Sequence, residues 1–336
     1  MQLDDRFDDL VASLGGFYRA WYIVSGLELG LLARLRDAGA AGLTAEELAH
    51  RTGTESDLVA RWAWGATAHD LLEPADDGRL RVQPDVATIL LDANRPEYLG
   101  GQFLHAAIGS LDFVDLPDVL RTGVPRRGRP DRYRQAIERL TVQDIAVFFQ
   151  EVLPVVPQLV LDLQPGSRIV DVHCGGGRWL VAMARRFPGS FLVGIEFEPD
   201  SVVRARALAA SAVLADRISI EQGDVTEIGH HGESTLTYFQ YALHQLADPV
   251  GALRSAYATL APGGWMVVLD WYLPTDPDEL QTRHAELLAG VQLDELLMGT
   301  RLVTRSEALG WFADADCPMP ELIDLPSGAS AIVVRR

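Results

Sequence analysis

The chain has 336 residues, 48% of them hydrophobic, with a formal net charge of −18; this is length enough for two domains with a sizeable core, and a balance too acidic for wrapping a polyanion with the whole surface. All 29 basic residues are arginine, which removes Schiff-base chemistry, pyridoxal-phosphate attachment and a Walker-type lysine. No apolar run is long enough to span a bilayer, the acidic start Met1-Gln2-Leu3-Asp4-Asp5 has no signal-peptide pattern, and the two cysteines, Cys174 and Cys317, read as thiols of a reducing, cytoplasmic setting.

In chain order, residues 1–40 carry large apolar groups at helical spacing, among them Phe7, Leu10, Leu14, Phe17, Trp21 and Leu27, with a break or bend suggested at Gly15-Gly16. Thr44 is an N-cap ahead of Glu46 and Glu47, Thr52-Gly53-Thr54 is a turn, and Ser56 to Leu72 is a second helix. Residues 73–82 read as a hairpin around an Asp77-Gly78 turn. Helix, turn, helix, hairpin is a winged-helix order. Its charges oppose nucleic acid as a partner: the second helix sets Glu55, Asp57 and Asp70 against Arg61, and the wing carries Glu73, Asp76 and Asp77. Residues 85–160 are helical with an interruption at 121–134, a Pro-, Gly- and Arg-rich loop read as solvated and balancing acidic neighbours. From Ser167 strands (167–172, 190–195, 217–220, 234–239, 265–270) alternate with helices (178–187, 199–213, 249–260), followed by a helix at 306–315 and a hairpin at 321–335. That alternation gives an α/β domain, a doubly wound and mostly parallel sheet. The segments are 1–95, helical and winged; 96–160, linking helices; and 161–336, the sheet domain.

The first strand, Ile169-Val170-Asp171-Val172, runs into His173-Cys174-Gly175-Gly176-Gly177 and then a helix. Glycines there allow backbone amides to approach a ligand. A dinucleotide fingerprint fails, because the third glycine position after Gly175 and Gly177 is Leu180. The second strand ends in Glu196, nineteen positions beyond Gly177, where a carboxylate accepts from ribose hydroxyls. Asp224 and Val225 follow the third strand, Tyr241 to Asp248 the fourth, and Leu260-Ala261-Pro262-Gly263-Gly264 precede the fifth.

Asp-x-x-x-Gly-x-Gly with a downstream Glu, a Leu243-His244 pair and a Pro-Gly-Gly turn together resemble the class I S-adenosylmethionine-dependent methyltransferases, in particular small-molecule O-methyltransferases with a winged-helix N-terminal domain. The resemblance spans nearly the whole chain and implies a Rossmann-like seven-stranded sheet. It departs from the family at His173, where the motif has glycine, and at Gln245-Leu246, where Asp-Trp follows the histidine. His173 is expected in an ordinary turn conformation, pointing away. What the resemblance implies is S-adenosylmethionine as cofactor, held by Asp171, His173, Gly175, Gly177, Glu196, Phe197, Asp224, Val225 and Gln240. His244 is implied as general base, its imidazole suited by a pKa near neutrality. Tyr241, Trp271, Phe103 and His105 are the expected lining of an apolar acceptor pocket. The first forty residues are expected to pair two subunits. Adjacent His230-His231 do not fit one metal ion from a regular element, and no Cys/His spacing fits zinc, so no metal is expected. The leading reading is methyl transfer to a hydroxyl of an aromatic or polyketide-like small molecule. The alternatives are a cofactor-binding protein of this fold that catalyses a cyclisation or rearrangement, and a ligand-sensing winged-helix regulator.

Overall fold

A computed structural model describes residues 3–126, 128–163, 166–230 and 232–336; Arg127 of the arginine-rich loop and His231 of the histidine pair lie outside the described residues. The chain forms two compact units that interleave rather than follow one another: Met1–Leu111 with Pro130–Gln143, and Asp112–Arg129 with Asp144–Arg336.

In the first unit the helix Leu3–Glu28 runs unbroken through Gly15 and Gly16, against the suggested break. A helical glycine costs about 1 kcal/mol relative to alanine but leaves every backbone hydrogen bond available, so the flanking helix formers carry the helix across. Its buried residues, Ile23, Val24 and Gly26, are in the last turns; Leu3, Phe7, Leu10, Val11, Leu14, Phe17 and Tyr18 are exposed. Thr44 and Glu47 form a capping box at the start of Ala45–Thr52, and the helix Ser56–Ala68 follows. Strands Leu72–Pro74 and Leu80–Val82 pair antiparallel around a turn in which Gly78 takes φ +77°. Arg79 of this hairpin donates to Glu47 at 2.8 Å, joining the hairpin to the capped helix.

The second unit is built on seven strands: β1 Arg168–Val172, β2 Phe191–Glu196, β3 Ile218–Gln222, β4 Ser234–Gln240, β5 Leu260–Asp270, β6 Glu321–Asp324 and β7 Ser330–Arg335. Their order is β6-β7-β5-β4-β1-β2-β3. β1 to β5 are parallel to their neighbours; β7 is antiparallel to β5 and to β6. Alternate residues feed two cores. Ile169, Leu192, Leu236 and Val267 pack on one face, and Val170, Val193, Phe239 and Val268 on the other. Both faces are covered, which is why these strands read as near-continuous β-branched runs rather than alternating ones. β5 begins five residues before the expected 265, running through Pro262-Gly263-Gly264. The helix Arg283–Met298 was not expected from the sequence at all. Among the described residues no helix is long and apolar enough to cross a membrane.

Gly194 sits inside β2 where a Cβ would lie 2.6 Å from Cys174 Sγ and 2.6 Å from Leu180 Cδ1. The strand must pass this closely because Cys174 N–H donates to Ile195 O at 3.0 Å, fixing the turn after β1 against β2. Gly194→Val is expected to lower stability by about 1–3 kcal/mol, the range for overpacking a filled core. An unchanged urea midpoint would contradict this.

Candidate active site

The turn after β1 is built on left-handed backbone. His173 has φ +65°, Gly175 +53° and Gly177 +74°. His173 is therefore not in the ordinary turn conformation expected of it: a residue with a Cβ occupies a region that glycine enters without penalty. Gly177 is needed for packing as well, since a Cβ there would lie 3.1 Å from the Ala205 Cβ, whereas at Gly175 a Cβ would meet nothing within 4 Å. The turn is thus open on one side. On its other side Glu196, buried at the end of β2, accepts the Gly175 N–H on Oε2 at 2.8 Å and the Glu198 N–H on Oε1 at 2.8 Å. Asp171 is buried at the end of β1. Burial, reinforced by the Glu196 charge, pushes its carboxyl well above the usual range. Burial beside Asp171 and Glu196 likewise pushes the Cys174 thiol well up, the opposite of what a thiolate nucleophile requires.

Past β3, Asp224 is exposed and its Oδ1 accepts from the Thr226 N–H at 2.9 Å and the Thr226 hydroxyl at 2.8 Å, bonds that hold its carboxyl below the usual range. The Val225 side chain is buried in the core. Phe197, directly after Glu196, is 69% exposed.

The ends of β4 and β5 hold the other cluster. Tyr241 takes φ +48°, donates its N–H to Leu269 O at 2.8 Å, and lays its ring 4.2 Å from Trp271 between centroids. His244 is buried and donates from Nδ1 to Asp270 Oδ1 at 2.8 Å, an oxygen that also accepts the Trp271 N–H at 2.9 Å. Its Nε2 faces Glu295 Oε1 at 3.5 Å. Glu295, from the unexpected helix Arg283–Met298, also accepts from Gln245 at 3.0 Å and from the Thr300 hydroxyl. Burial alone would lower the His244 pKa; the Asp270 and Glu295 carboxylates outweigh it and push the ring up to about 10. At neutral pH His244 is an imidazolium between two carboxylates, not the near-neutral imidazole expected. Asp270 and Glu295 are the partners that sequence reading missed. Asp270 was legible only as the last residue of a strand, and Glu295 lies 50 residues beyond Gln245 in a segment with no assigned pattern.

The arginine-rich loop also departs from expectation. Arg129 is 5% exposed at its side chain and pairs with Asp112 at 3.0 Å and Asp294 at 3.1 Å, and Arg126 donates to Asp112 at 3.2 Å. Arg129 thus binds the helix that carries Glu295 instead of standing in solvent, while Arg121 stays exposed beside Asp118. Phe103 and His105 belong to the first unit, where Phe103 packs on a core of Val24, Leu104 and Ala107 and the His105 ring lies 5.4 Å from that of Tyr133. His230 bonds Arg168 and Glu221, each at 2.9 Å. Among the described residues no three His, Cys, Asp or Glu side chains form a metal-holding group.

Residues 163–315 match the family model of a methyltransferase domain. Over those residues the chain carries a methyltransferase domain. It is 28% identical over 284 residues, 80% of this chain and 73% of the relative, to aclacinomycin 10-hydroxylase RdmB of Streptomyces purpurascens. It is 29% identical to the 27-O-demethylrifamycin SV methyltransferase of Amycolatopsis mediterranei over 36% of this chain and 45% of that one. Solved structures of similar fold include PigF with S-adenosylhomocysteine, at TM-score 0.75 and 20% identity over 98% of this chain and 99% of that one. The mitomycin 7-O-methyltransferase MmcR matches at TM-score 0.70 and 21% identity, over 99% and 98%. S-adenosylmethionine is the family's cofactor, and the site fits it: the turn is open beside Gly175, and the buried carboxylate of Glu196 binds that turn from behind.

The raised pKa of His244 has a defined sign. Stability from its ion pairs is fully present below about pH 6.5, the ordinary histidine value, and is lost as pH rises through about 10. In a nuclear magnetic resonance titration, the imidazole signal that disappears in His244→Asn is expected to stay in the charged form at pH 8. A midpoint near 6.5 would contradict the geometry.

Proposed function

We propose that the chain methylates a hydroxyl of an aromatic or polyketide-like small molecule, with His244 touching the acceptor oxygen. The observation that carries this reading is the buried Asp270–His244–Glu295 array beside the Tyr241–Trp271 aromatic pair. S-adenosylmethionine, when bound, supplies an electrophilic methyl group. Glu196 is proposed for the ribose and Asp224 with Val225 for the adenine edge, since each stands at or just past the carboxyl end of its strand. Asp171 and the turn from His173 to Gly177 lie between these groups and Gln240 in the strand order.

The acceptor site differs from a simple general base. His244 already carries its proton at neutral pH, so a hydroxyl docking on Nε2 loses its own proton to solvent. The imidazolium then holds the oxygen as an oxyanion, taking the place Glu295 fills in the free protein. Asp270 fixes the ring through Nδ1–H and stabilises its charge. Charged ring beside anionic oxygen is the same state that proton abstraction would reach. Tyr241 and Trp271 supply apolar faces on which an aromatic acceptor can stack.

Incubation with methyl-labelled S-adenosylmethionine and a panel of phenolic and polyketide acceptors tests the reading, and a labelled methyl ether supports it. The relative named as a hydroxylase makes product analysis necessary: an oxidised or rearranged product without label would replace methylation. On a working acceptor, His244→Ala is expected to lower turnover roughly 10²–10⁴-fold with cofactor affinity little changed, while His173→Gly relieves the left-handed strain and leaves turnover equal or better. A loss of activity in His173→Gly with tolerance of His244→Ala would contradict the assignment.

The N-terminal helix is proposed as a dimerisation surface. Phe7, Leu10, Leu14 and Phe17 are each more than half exposed on it, an apolar stripe that an isolated subunit would leave in water. Light scattering at micromolar concentration is expected to give twice the 36.8 kDa chain mass; a monomeric mass would contradict it.

A further inference from the structure

One buried carboxylate has no part in the assignments above. Asp144 is 4% exposed and accepts a single long bond, from Gln240 Nε2 at 3.5 Å. Burial pushes its carboxyl up to about 8. The described residues bring no cation to it. Beside it, Gln240 Oε1 and the Tyr238 hydroxyl are buried without hydrogen-bond partners. Native proteins rarely leave such groups unpaired without a reason.

The placement follows from two periodicities. Asp144 lies in the helix Asp131–Val147, and Phe148, four residues on, opens the π-helical turn that continues it, which puts both on one side. Tyr238 and Gln240 are two apart on β4 and share one face of the strand. Phe148 packs on Tyr238 with centroids 4.8 Å apart, so one turn along the helix Asp144 meets Gln240 at the carboxyl end of β4. β4 lies next to β1, with Tyr238 opposite Asp171, and on its other side next to β5. The ends of adjacent strands therefore run Glu196 on β2, the glycine turn on β1, Gln240 with Asp144 on β4, and Asp270 with His244 on β5. The acceptor-rich cluster stands between the proposed ribose and acceptor positions.

We propose that Asp144 and Gln240 form the seat of the ammonium group of the cofactor's amino-acid end, an inference that rests on the cofactor site described above. A primary ammonium has three donors and no acceptor. The Asp144 carboxylate, Gln240 Oε1 and the Tyr238 oxygen are three acceptors that otherwise lack partners or hold one long bond. A bound cation would let the buried Asp144 carboxyl ionise, giving the ammonium a charged acceptor.

Calorimetry on the full-length protein tests this with four probes: S-adenosylmethionine, S-adenosylhomocysteine, the analogue of S-adenosylhomocysteine in which hydrogen replaces the amino group, and 5′-methylthioadenosine. The wild type is expected to prefer S-adenosylhomocysteine over its desamino analogue by about tenfold or more, as for a bond to a charged group. Asp144→Asn should weaken S-adenosylmethionine and S-adenosylhomocysteine by roughly 10–100-fold and leave the desamino analogue within about threefold; retained binding of that analogue shows that the variant folds. Three results overturn the proposal: a wild type indifferent to the amino group, a variant that keeps S-adenosylhomocysteine affinity, or a variant that loses only S-adenosylmethionine, which would assign Asp144 to the sulfonium charge. Should the variant not fold, the wild-type ratio decides alone, tenfold or more sustaining the proposal and near unity rejecting it. If the wild type binds neither S-adenosylhomocysteine nor 5′-methylthioadenosine, the cofactor site itself is wrong, a different failure from binding both without regard to the amino group.

Discussion

The second unit turns on a single carboxylate. Glu196 leaves β2 buried, with one oxygen on the Gly175 N–H and the other on the Glu198 N–H. A left-handed turn of several residues is costly for any chain that is not all glycine, and here His173 is part of it. The two Glu196 bonds and the close passage of Cys174 over Gly194 hold the turn in place. A carboxyl group this deep is tolerable because backbone donors satisfy both of its oxygens. Glu196 thus holds the turn from behind and leaves the side beside Gly175 open.

The parallel sheet converts strand order into site order. Five neighbouring strands deliver their carboxyl ends to one edge, and each end carries a different chemistry: an exposed acid after β3, the buried Glu196 on β2, glycines after β1, an amide and a buried acid at β4, and a histidine pinned by Asp270 at β5. Acidic groups dominate this edge. Their consequences differ with surroundings. Asp224 is wet and bonded to Thr226, so it stays ionised. Asp171 and Asp144 are dry and pushed up. Asp270 and Glu295 are dry as well, but both face His244: the ring is pushed up to about 10, and against its burial Glu295 is held below the usual range by its bonds to His244, Thr300 and Gln245.

Much of this was legible in the sequence, and the reason is local. The β1–turn–helix unit, Glu196 at the end of β2 and the hairpin 321–335 are written in contiguous patterns of β-branched residues, glycine and capping groups. The losses share a different cause. Glu295 and the Arg129–Asp294 pair depend on contacts between segments 50 and 165 residues apart, which no window along the chain can register. The charge state of His244 was misjudged for the same reason, since a histidine beside one strand end reads as neutral until both carboxylates are located. The break suggested at Gly15-Gly16 failed because glycine weakens a helix without ending it. His173 was misread because preference for ordinary backbone is a weak prior where the next strand dictates the turn.

The central claim is that the carboxyl edge of β2, β1, β4 and β5 holds S-adenosylmethionine with its methyl end toward His244. A crystal structure of the chain with S-adenosylhomocysteine tests this most directly. The account predicts ribose hydroxyls on Glu196, the amino group on Asp144 and Gln240, and the thioether sulfur on the side of the cleft nearest His244. A ligand bound elsewhere, or seated with its sulfur turned away from His244, would contradict it.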